Sequence, residues 1–332
     1  MDSGMLNATI MELEATREIV YRHMSPTPAY TWPLLSERTG CDVWVKHENH
    51  TPIGAFKVRG GLVYLSGLKA TQPNLKGVIS ATRGNHGQSL AYAANRLGLK
   101  AVIVVPHGNS PDKNRAMKAL GAELIVHGAD FQEALEYTQE LAKDRALHMI
   151  GPFEKPLMRG VATYALEFFE QVGNLDAVYV PIGMGSGICG LITVRDALGL
   201  KTEIIGVVAE GAPAYALSFE KGEVVATNTA NTIADGVACR VPSPEAFDII
   251  KAGAARVICV SDDEILDAIG AYFTDTHNLC EGAAATPLAG LMKEKDNQAG
   301  RKIGLILSGG NADSGTFVQA IKRIKTTQGE EA

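Results

Sequence analysis

The sequence predicts an α/β fold with open parallel sheets, and the alternation of two kinds of segment leads to that class. Short apolar segments typical of buried strands alternate with helical segments from about residue 75 to residue 150, the pattern of a parallel sheet with crossover helices. The chain has 332 residues, 46% of them hydrophobic and 20% charged. This length and composition suit a globular protein of one large or two ordinary domains.

In the first half of the chain, most predicted elements have both a periodic pattern and a boundary signal. Gly98 and Gly121 follow two helical patterns and are suited to end them, and Pro26 stops the first. Apolar residues at helical spacing predict helices over 7–23, 56–68, 88–97, 111–120 and 131–145. Alternating or continuously apolar segments predict strands over 42–48, 77–80, 101–105 and 122–126.

The second half continues the alternation. Ser261, followed by acidic residues, is the expected N-cap of one helix. The patterns predict helices over 160–172, after 187, from 261 to about 273, and over 283–293. They predict strands over 177–180, 203–209, 255–260 and 302–307. Residues 217–245 are expected to be irregular, and 326–332 to form a frayed charged tail.

Charge, hydropathy and cysteine usage exclude several classes of protein. The formal charge is −6 without a basic block, which argues against a nucleic-acid partner. No apolar run approaches the roughly 18 residues of a membrane span, and the first seven residues lack a signal-peptide layout. We therefore expect a cytoplasmic protein with no membrane partner. Reduced thiols rather than disulfides or a zinc site are expected at Cys41, Cys189, Cys239, Cys259 and Cys280.

Lys57 lies in the stretch 51–60, after a turn marked by Pro52 and Gly54 and just inside a predicted helix. The positive end of the helix dipole disfavours a cation there, so it lowers the lysine pKa towards the neutral amine that a Schiff base needs. The alternative interpretation is a solvated surface lysine.

Three further stretches follow predicted strands. Residues 183–187 contain glycines at a strand-to-helix junction, where backbone N–H groups can bind a phosphate; a turn without a ligand is the alternative. Neither a P-loop motif nor an acid at the ribose distance is present. At another strand end, Ser308 could bond a heteroaromatic nitrogen. The third stretch is 83–87. There, Asn85 could bind a phenolic oxygen, and the nearby backbone amides could bind a carboxylate. His86 is interpreted as a structural residue.

The stretches 52–60, 83–88, 183–187 and 308–311 occur in the order and spacing of the fold-type II pyridoxal-phosphate enzymes. The chain most resembles their serine/threonine dehydratase and serine racemase group, from about residue 31 to residue 317. The resemblance implies a tryptophan synthase β-like fold, with two open parallel-sheet α/β domains and the cofactor in the cleft between them. Residues 75–150 would form the small domain, and 1–74 with 151–332 the large cofactor-binding domain.

The resemblance also implies roles for individual residues. Lys57 would hold pyridoxal 5′-phosphate as a Schiff base and then act as the base at the substrate Cα. Asn85 would bind the ring hydroxyl and Ser308 the pyridine nitrogen. The cofactor-binding set is Phe56, Lys57, Asn85, Gly183, Met184, Gly185, Ser186, Gly187, Glu281 and Ser308. The substrate-binding set is Arg83, Gly84, Asn85, His86 and Asp235.

The implied activity is β-elimination from a β-hydroxy amino acid such as L-threonine, L-serine, a 3-hydroxyaspartate or phenylserine, giving a 2-oxo acid and ammonia. Alternatives are a racemase or β-replacement synthase, or an amino-acid-binding protein without turnover. A homodimer or homotetramer, without the feedback domain of biosynthetic threonine dehydratases, is also expected.

The sequence departs from the group at specific positions. Ala55 stands where serine is usual, and Met184 and Ser186 interrupt the phosphate glycines. Arg83 stands where the racemase has a serine base, so we expect weak racemisation at best and a guanidinium able to bind a second substrate carboxylate. The alternative is an Arg83 side chain that points to solvent or pairs with an internal acid. A divalent cation would use Glu210 and the Ala214 carbonyl. The third ligand position of that cation site is Ala216, which has no carboxylate.

Overall fold

The structure, a computed structural model, describes residues 8–330 and contains two β-sheets. The large sheet has the strand order β1-β2-β10-β7-β8-β9, and only β1 runs antiparallel to its neighbour. Its strands are β1 (Ala29–Thr31), β2 (Asp42–His47), β7 (Ala177–Pro181), β8 (Glu203–Ala209), β9 (Arg256–Val260) and β10 (Lys302–Leu307). The α/β class with parallel sheets is thereby confirmed.

The small sheet has the order β5-β4-β3-β6 and is parallel throughout. Its strands are β3 (Gly77–Ala81), β4 (Lys100–Val105), β5 (Glu123–Val126) and β6 (His148–Met149). All of them fall within residues 75–150, and the division into domains at those residues stays a prediction.

Helices cover the sheets. Before β7 they are α1 (Ile10–Tyr21), α2 (Pro33–Thr39), α3 (Lys57–Thr71), α4 (Asn85–Leu97), α5 (Pro111–Ala119), α6 (Phe131–Asp144) and α7 (Lys155–Val172). After β7 they are α8 (Ser186–Ala197), α9 (Ala214–Lys221), α10 (Pro244–Gly253), α11 (Asp262–Thr276), α12 (Gly282–Gln298) and α13 (Ser314–Glu330). None of the helices in residues 8–330 is long and apolar enough to cross a membrane.

The structure corrects several predicted boundaries. Helix α4 begins at Asn85, three residues earlier than expected, and α7 begins at Lys155 rather than 160. The segment expected to be irregular contains most of α9 and the start of α10. Helix α13 extends to Glu330, where a frayed tail was expected. Residues 1–7, for which the sequence predicts no signal peptide, lie outside the described part of the chain, as do the last two residues of the predicted tail.

The large sheet is packed on both faces because its strands are apolar at successive positions. Val178 and Val180 join a cluster with α7, α8 and α10, whereas Ala177 and Tyr179 face the cluster formed with α11 and α12. Helix α3 joins the hydrophobic cluster of β3, β4 and α4. The chain between β2 and β3 is therefore anchored to the small sheet by its apolar face.

Helices α3 and α7 cross at a contact that admits only glycine. A Cβ added at Gly160 would lie 2.3 Å from the carbonyl oxygen of Arg59, and one at Gly60 would lie 2.7 Å from that of Leu157. Backbone atoms on both sides leave no flexible group that could yield. This crossing fixes the start of α3, and with it Lys57.

Beside that crossing lies a fully buried ion network. The Arg59 guanidinium contacts Glu48 at 2.7 Å and Glu167 at 2.6 Å, and Lys46 contacts Glu167 at 2.8 Å. All of these side chains are at most 2% exposed. Each charge has a partner, as burial requires, so removal of one member would leave uncompensated charges in the core.

Candidate active site

A cavity of about 270 Å³ lies where the carboxyl ends of β3, β7 and β10 meet. Strands β7 and β10 belong to the large sheet and β3 to the small one, so segments that follow the carboxyl ends of both sheets line one space. Its lining includes every residue predicted for the cofactor and substrate: Phe56, Lys57, Arg83, Gly84, Asn85, His86, Gly183, Met184, Gly185, Ser186, Gly187, Asp235, Glu281 and Ser308.

The backbone that carries Lys57 is fixed from two sides. The Phe56 amide donates to the Ser308 carbonyl at 3.0 Å, and the Gly310 amide donates to the Gly54 carbonyl at 2.8 Å. On the other side, the Ser89 hydroxyl of α4 donates to the Lys57 carbonyl at 2.6 Å. The amine is therefore presented from a rigid support between the two sheets.

Burial lowers the pKa of Lys57 from 10.5 to about 8, and the nearby Glu281 carboxylate partly opposes the shift. The main cause is desolvation, whereas the helix start was the cause expected from the sequence. Lys57 Nζ lies 5.2 Å from the centre of the Phe56 ring. A substantial fraction of the amine is therefore neutral near neutral pH, as a nucleophilic lysine requires.

Residues 183–187, the glycine loop, pass from β7 into α8 by a turn that needs glycine. Gly185 has φ +100°, a left-handed conformation, and a Cβ added at Gly183 would lie 2.1 Å from the Gly236 carbonyl oxygen. Helix α8 begins at Ser186, and the first N–H groups of a helix have no partner within it. The loop therefore offers backbone donors and the positive end of a dipole to an anion.

Asn85 is held by hydrogen bonds at both ends of its amide. Its Nδ2 lies 2.8 Å from Glu281 Oε1, and its Oδ1 accepts from Asn311 Nδ2 at 2.8 Å. Burial raises the pKa of Glu281 to about 7, although the Asn85 hydrogen bond acts against the shift. Asn85 thus has a fixed orientation in the cavity wall, next to a carboxyl group that titrates near neutrality.

His86 follows Asn85 in the first turn of α4 and is 7% exposed. Burial, followed by the charge of Lys57, lowers its pKa to about 3, whereas a bond to the Ile150 backbone acts in the opposite direction. Its Nε2 atom is buried without a hydrogen-bond partner among the described residues. His86 is therefore a neutral imidazole, in keeping with a structural role and not a proton donor.

Lys113 is a cavity residue that the sequence interpretation missed. Its ammonium lies 3.0 Å from both Asp235 and Asp313, so it joins α5 to two segments far away in sequence. Asp235, predicted to contact the substrate, is thus engaged by Lys113. Because its partners are about 120 and 200 positions away, only tertiary structure could reveal this contact.

Ser308 and the proposed cation ligands differ in position. Ser308 is 3% exposed and lines the cavity, and its hydroxyl makes no hydrogen bond to the described residues.

The expected cation ligands Glu210 and Ala214 lie outside the cavity lining, and the Glu210 carboxylate is 3.4 Å from the Lys293 ammonium. No metal-binding group of three or more His, Cys, Asp or Glu residues occurs in the described part of the chain, so the cation gains no support.

Comparisons with known proteins agree with this geometry. The family model described as pyridoxal-phosphate dependent enzyme matches residues 20–309. An L-threonine dehydratase of Haemophilus influenzae is 33% identical over 316 residues, which are 94% of this chain and 61% of that protein. The L-threo-3-hydroxyaspartate ammonia-lyase of Saccharomyces cerevisiae is 32% identical over 310 residues, 93% and 94% of the two chains.

A solved structure gives the same result at the level of the fold. Threonine deaminase isoform 2 of Solanum lycopersicum matches with a TM-score of 0.87 and 30% identity, over 95% of this chain and 94% of that one. The chain spans about three fifths of the length of the bacterial dehydratase named above. A family match covers most of the chain, and a half-buried lysine lines one cavity with the glycine loop. The chain belongs to the family of pyridoxal-phosphate dependent enzymes, and its cofactor is pyridoxal phosphate.

Proposed function

We propose that this protein catalyses the elimination of water from a β-hydroxy amino acid, giving a 2-oxo acid and ammonia. The observation that carries the proposal is the partly neutral amine of Lys57 in a cavity that also contains the glycine loop and the Ser308 hydroxyl. The names of the bacterial and yeast relatives, a threonine dehydratase and a 3-hydroxyaspartate ammonia-lyase, support the same class of reaction.

The cavity residues fit the proposed cofactor by their chemistry. The glycine loop supplies backbone donors for the phosphate, and Gly183 permits the close approach of the Gly236 carbonyl that a Cβ would prevent. Lys57 supplies the amine that bonds to the aldehyde. Ser308, whose hydroxyl has no partner among the described residues, is available to the pyridine nitrogen. Phe56 and Asn85 would contact the ring.

Bound pyridoxal phosphate supplies an electron sink for negative charge at the substrate Cα. Lys57 Nζ would accept the substrate Cα proton, because its lowered pKa makes the neutral amine accessible. The first N–H groups of α4 bind the α-carboxylate and orient the Cα–H bond. Ser308 would be a neutral hydrogen-bond partner for the ring nitrogen and would leave it largely unprotonated, which favours elimination over transamination.

Racemisation is the less favoured reaction on this scaffold. It requires a second base on the opposite face of the substrate, where the racemase group has a serine and this chain has Arg83. A guanidinium stays protonated and does not accept a proton at neutral pH. Binding of the cofactor or an amino acid without turnover is disfavoured because Lys57, Asn85 and Ser308 all line the cavity. A cytoplasmic location and a homodimer or homotetramer remain predictions.

The test is a substrate panel of serine, threonine, 3-hydroxyaspartate and phenylserine, with 2-oxo acid and ammonia measured for the holoprotein. We expect both products in equal amounts from at least one substrate. The Lys57→Ala variant should lose this activity, while Lys69→Ala, an exposed lysine on the same helix, should retain it. Absence of 2-oxo acid from every substrate would refute the proposed reaction.

A further inference from the structure

Arg83 is a charged residue of the cavity to which no other part of the proposed chemistry assigns a role. It is exposed and lines the cavity immediately after β3. Its backbone is held on both sides, since the Thr82 amide donates to the Val104 carbonyl at 3.1 Å and the Gly84 amide donates to the Thr82 hydroxyl at 3.2 Å. The side chain therefore starts from a fixed point at the cavity wall.

The acidic groups of the cavity are engaged elsewhere. Asp235 is paired with Lys113, and Glu281 accepts hydrogen bonds from Asn85. Within the side chains that the structure describes, Arg83 forms neither a hydrogen bond nor an ion pair. Its five N–H donors thus remain available at the cavity, in a planar arrangement that suits a carboxylate.

The groups common to all α-amino acids already have candidate partners. The α-carboxylate fits the unpaired N–H groups in the first turn of α4, which begins at Asn85. The α-amino group is the one that bonds to the cofactor. Arg83 precedes this turn by two residues in the sequence. Its guanidinium is not needed to bind the α-carboxylate, because the backbone N–H groups of the turn can do so.

We propose that Arg83 selects substrates with a second carboxylate, so that the preferred substrate is an acidic β-hydroxy amino acid, of which 3-hydroxyaspartate is the smallest. This inference rests on the proposed function. The Cα–H and Cβ–O bonds break, and Lys57 Nζ takes up the Cα proton and passes it to the departing hydroxyl, which leaves as water. Hydrolysis of the resulting enamine then returns the water and releases ammonia, giving oxaloacetate.

The test compares kcat/KM of the holoenzyme for the isomers of 3-hydroxyaspartate and for L-threonine. The wild type should prefer one 3-hydroxyaspartate isomer. Arg83→Gln should lower kcat/KM for that isomer about 10- to 100-fold, mainly through KM, and change the threonine value by less than about two-fold. Arg96→Gln, an exposed arginine further along α4 and outside the cavity lining, should change neither.

An equal loss for both substrates would mean that Arg83 binds a group common to them and would overturn the inference. A wild type that prefers threonine would overturn it as well, while leaving the elimination chemistry intact. A readout independent of turnover is calorimetric binding of succinate and butyrate to the holoprotein. Succinate should bind more tightly to the wild type, and Arg83→Gln should abolish the difference. Equal binding by the wild type would refute the role of Arg83 even if no substrate reacted.

Discussion

Covalent capture of pyridoxal phosphate by the apoprotein should accelerate as the pH rises through about 8, because the neutral Lys57 amine is the reacting species. Surrounding protein lowers the pKa of this amine from 10.5 to about 8. At pH 7.5 the neutral fraction of the Lys57 amine would be about 24% with a pKa of about 8, compared with about 0.1% with a pKa of 10.5. This is a gain of roughly 200-fold, because the neutral fraction changes about tenfold for each pKa unit when the amine is mostly charged.

The assay is stopped-flow absorbance after mixing apoprotein with cofactor at pH 6.5 to 10. The same reaction with Nα-acetyl-lysine provides the control, because the ratio of the two rates removes the ionisation of the cofactor itself. The protein rate should level off above about pH 8.5, whereas the rate with the free amine should continue to rise towards pH 10.5.

Glu281 provides a second perturbation with a defined sign. Its negative charge raises the pKa of Lys57, opposing the larger effect of burial. Glu281→Gln should therefore move the inflection of the rate to a pH below 8. A protein rate that follows the free amine up to pH 10, or an inflection that Glu281→Gln moves upward, would contradict burial as the cause of the lowered pKa.

Further predictions concern stability, measured by urea unfolding of the holoprotein. Arg59→Met should lower the free energy of unfolding by about 3–5 kcal/mol by leaving the buried Glu48 carboxylate without its cation, while Arg115→Met on the surface should cost about 0–1 kcal/mol; equal losses would contradict the first value. Gly160→Ala should destabilise by about 1–3 kcal/mol, whereas Gly67→Ala, with no atom within 4 Å of its new Cβ, should not; a neutral Gly160→Ala would refute the close crossing. His86 has its pKa lowered to about 3 in the fold, so its contribution is complete above pH 6.5 and is lost as the pH falls towards 3. Stability should decline below pH 6.5, and His86→Gln should reduce the slope by up to about 1.4 kcal/mol per pH unit; an unchanged slope would contradict the shift.

The parts of the site that sequence could predict are those with local signals. Lys57 follows a proline–glycine turn, Ser308 directly follows an apolar strand, and the glycine loop joins a strand to a helix. Each feature depends on the neighbouring residues alone. Their meeting in one cavity follows from the rule that parallel strands end at the same edge of the sheet.

Tertiary packing decided what sequence patterns did not. Helix α4 starts at Asn85 although Asn85 and Gly87 are weak helix formers. A Cβ at Gly87 would lie 2.5 Å from the Met117 sulfur, so the glycine is needed for close packing against α5. Helix propensity favours a loop at residues 85–87, because it does not take account of the packing of Gly87 against Met117.

Helix α10 shows the opposite case, in which a usable signal was present. Ser243 caps the helix by accepting from the Ala246 amide, and Pro244 occupies its first position. This pair is a standard helix start. The interpretation of residues 217–245 as irregular does not use this signal.

Lys57 is expected to bind the cofactor in the cavity between the two sheets. The most direct measurement is borohydride reduction of the holoprotein, followed by proteolysis and mass spectrometry to locate the attached pyridoxyl phosphate. The account predicts a single labelled residue, Lys57, at close to one label per chain. A label on another lysine, or a reduced protein without label, would contradict it.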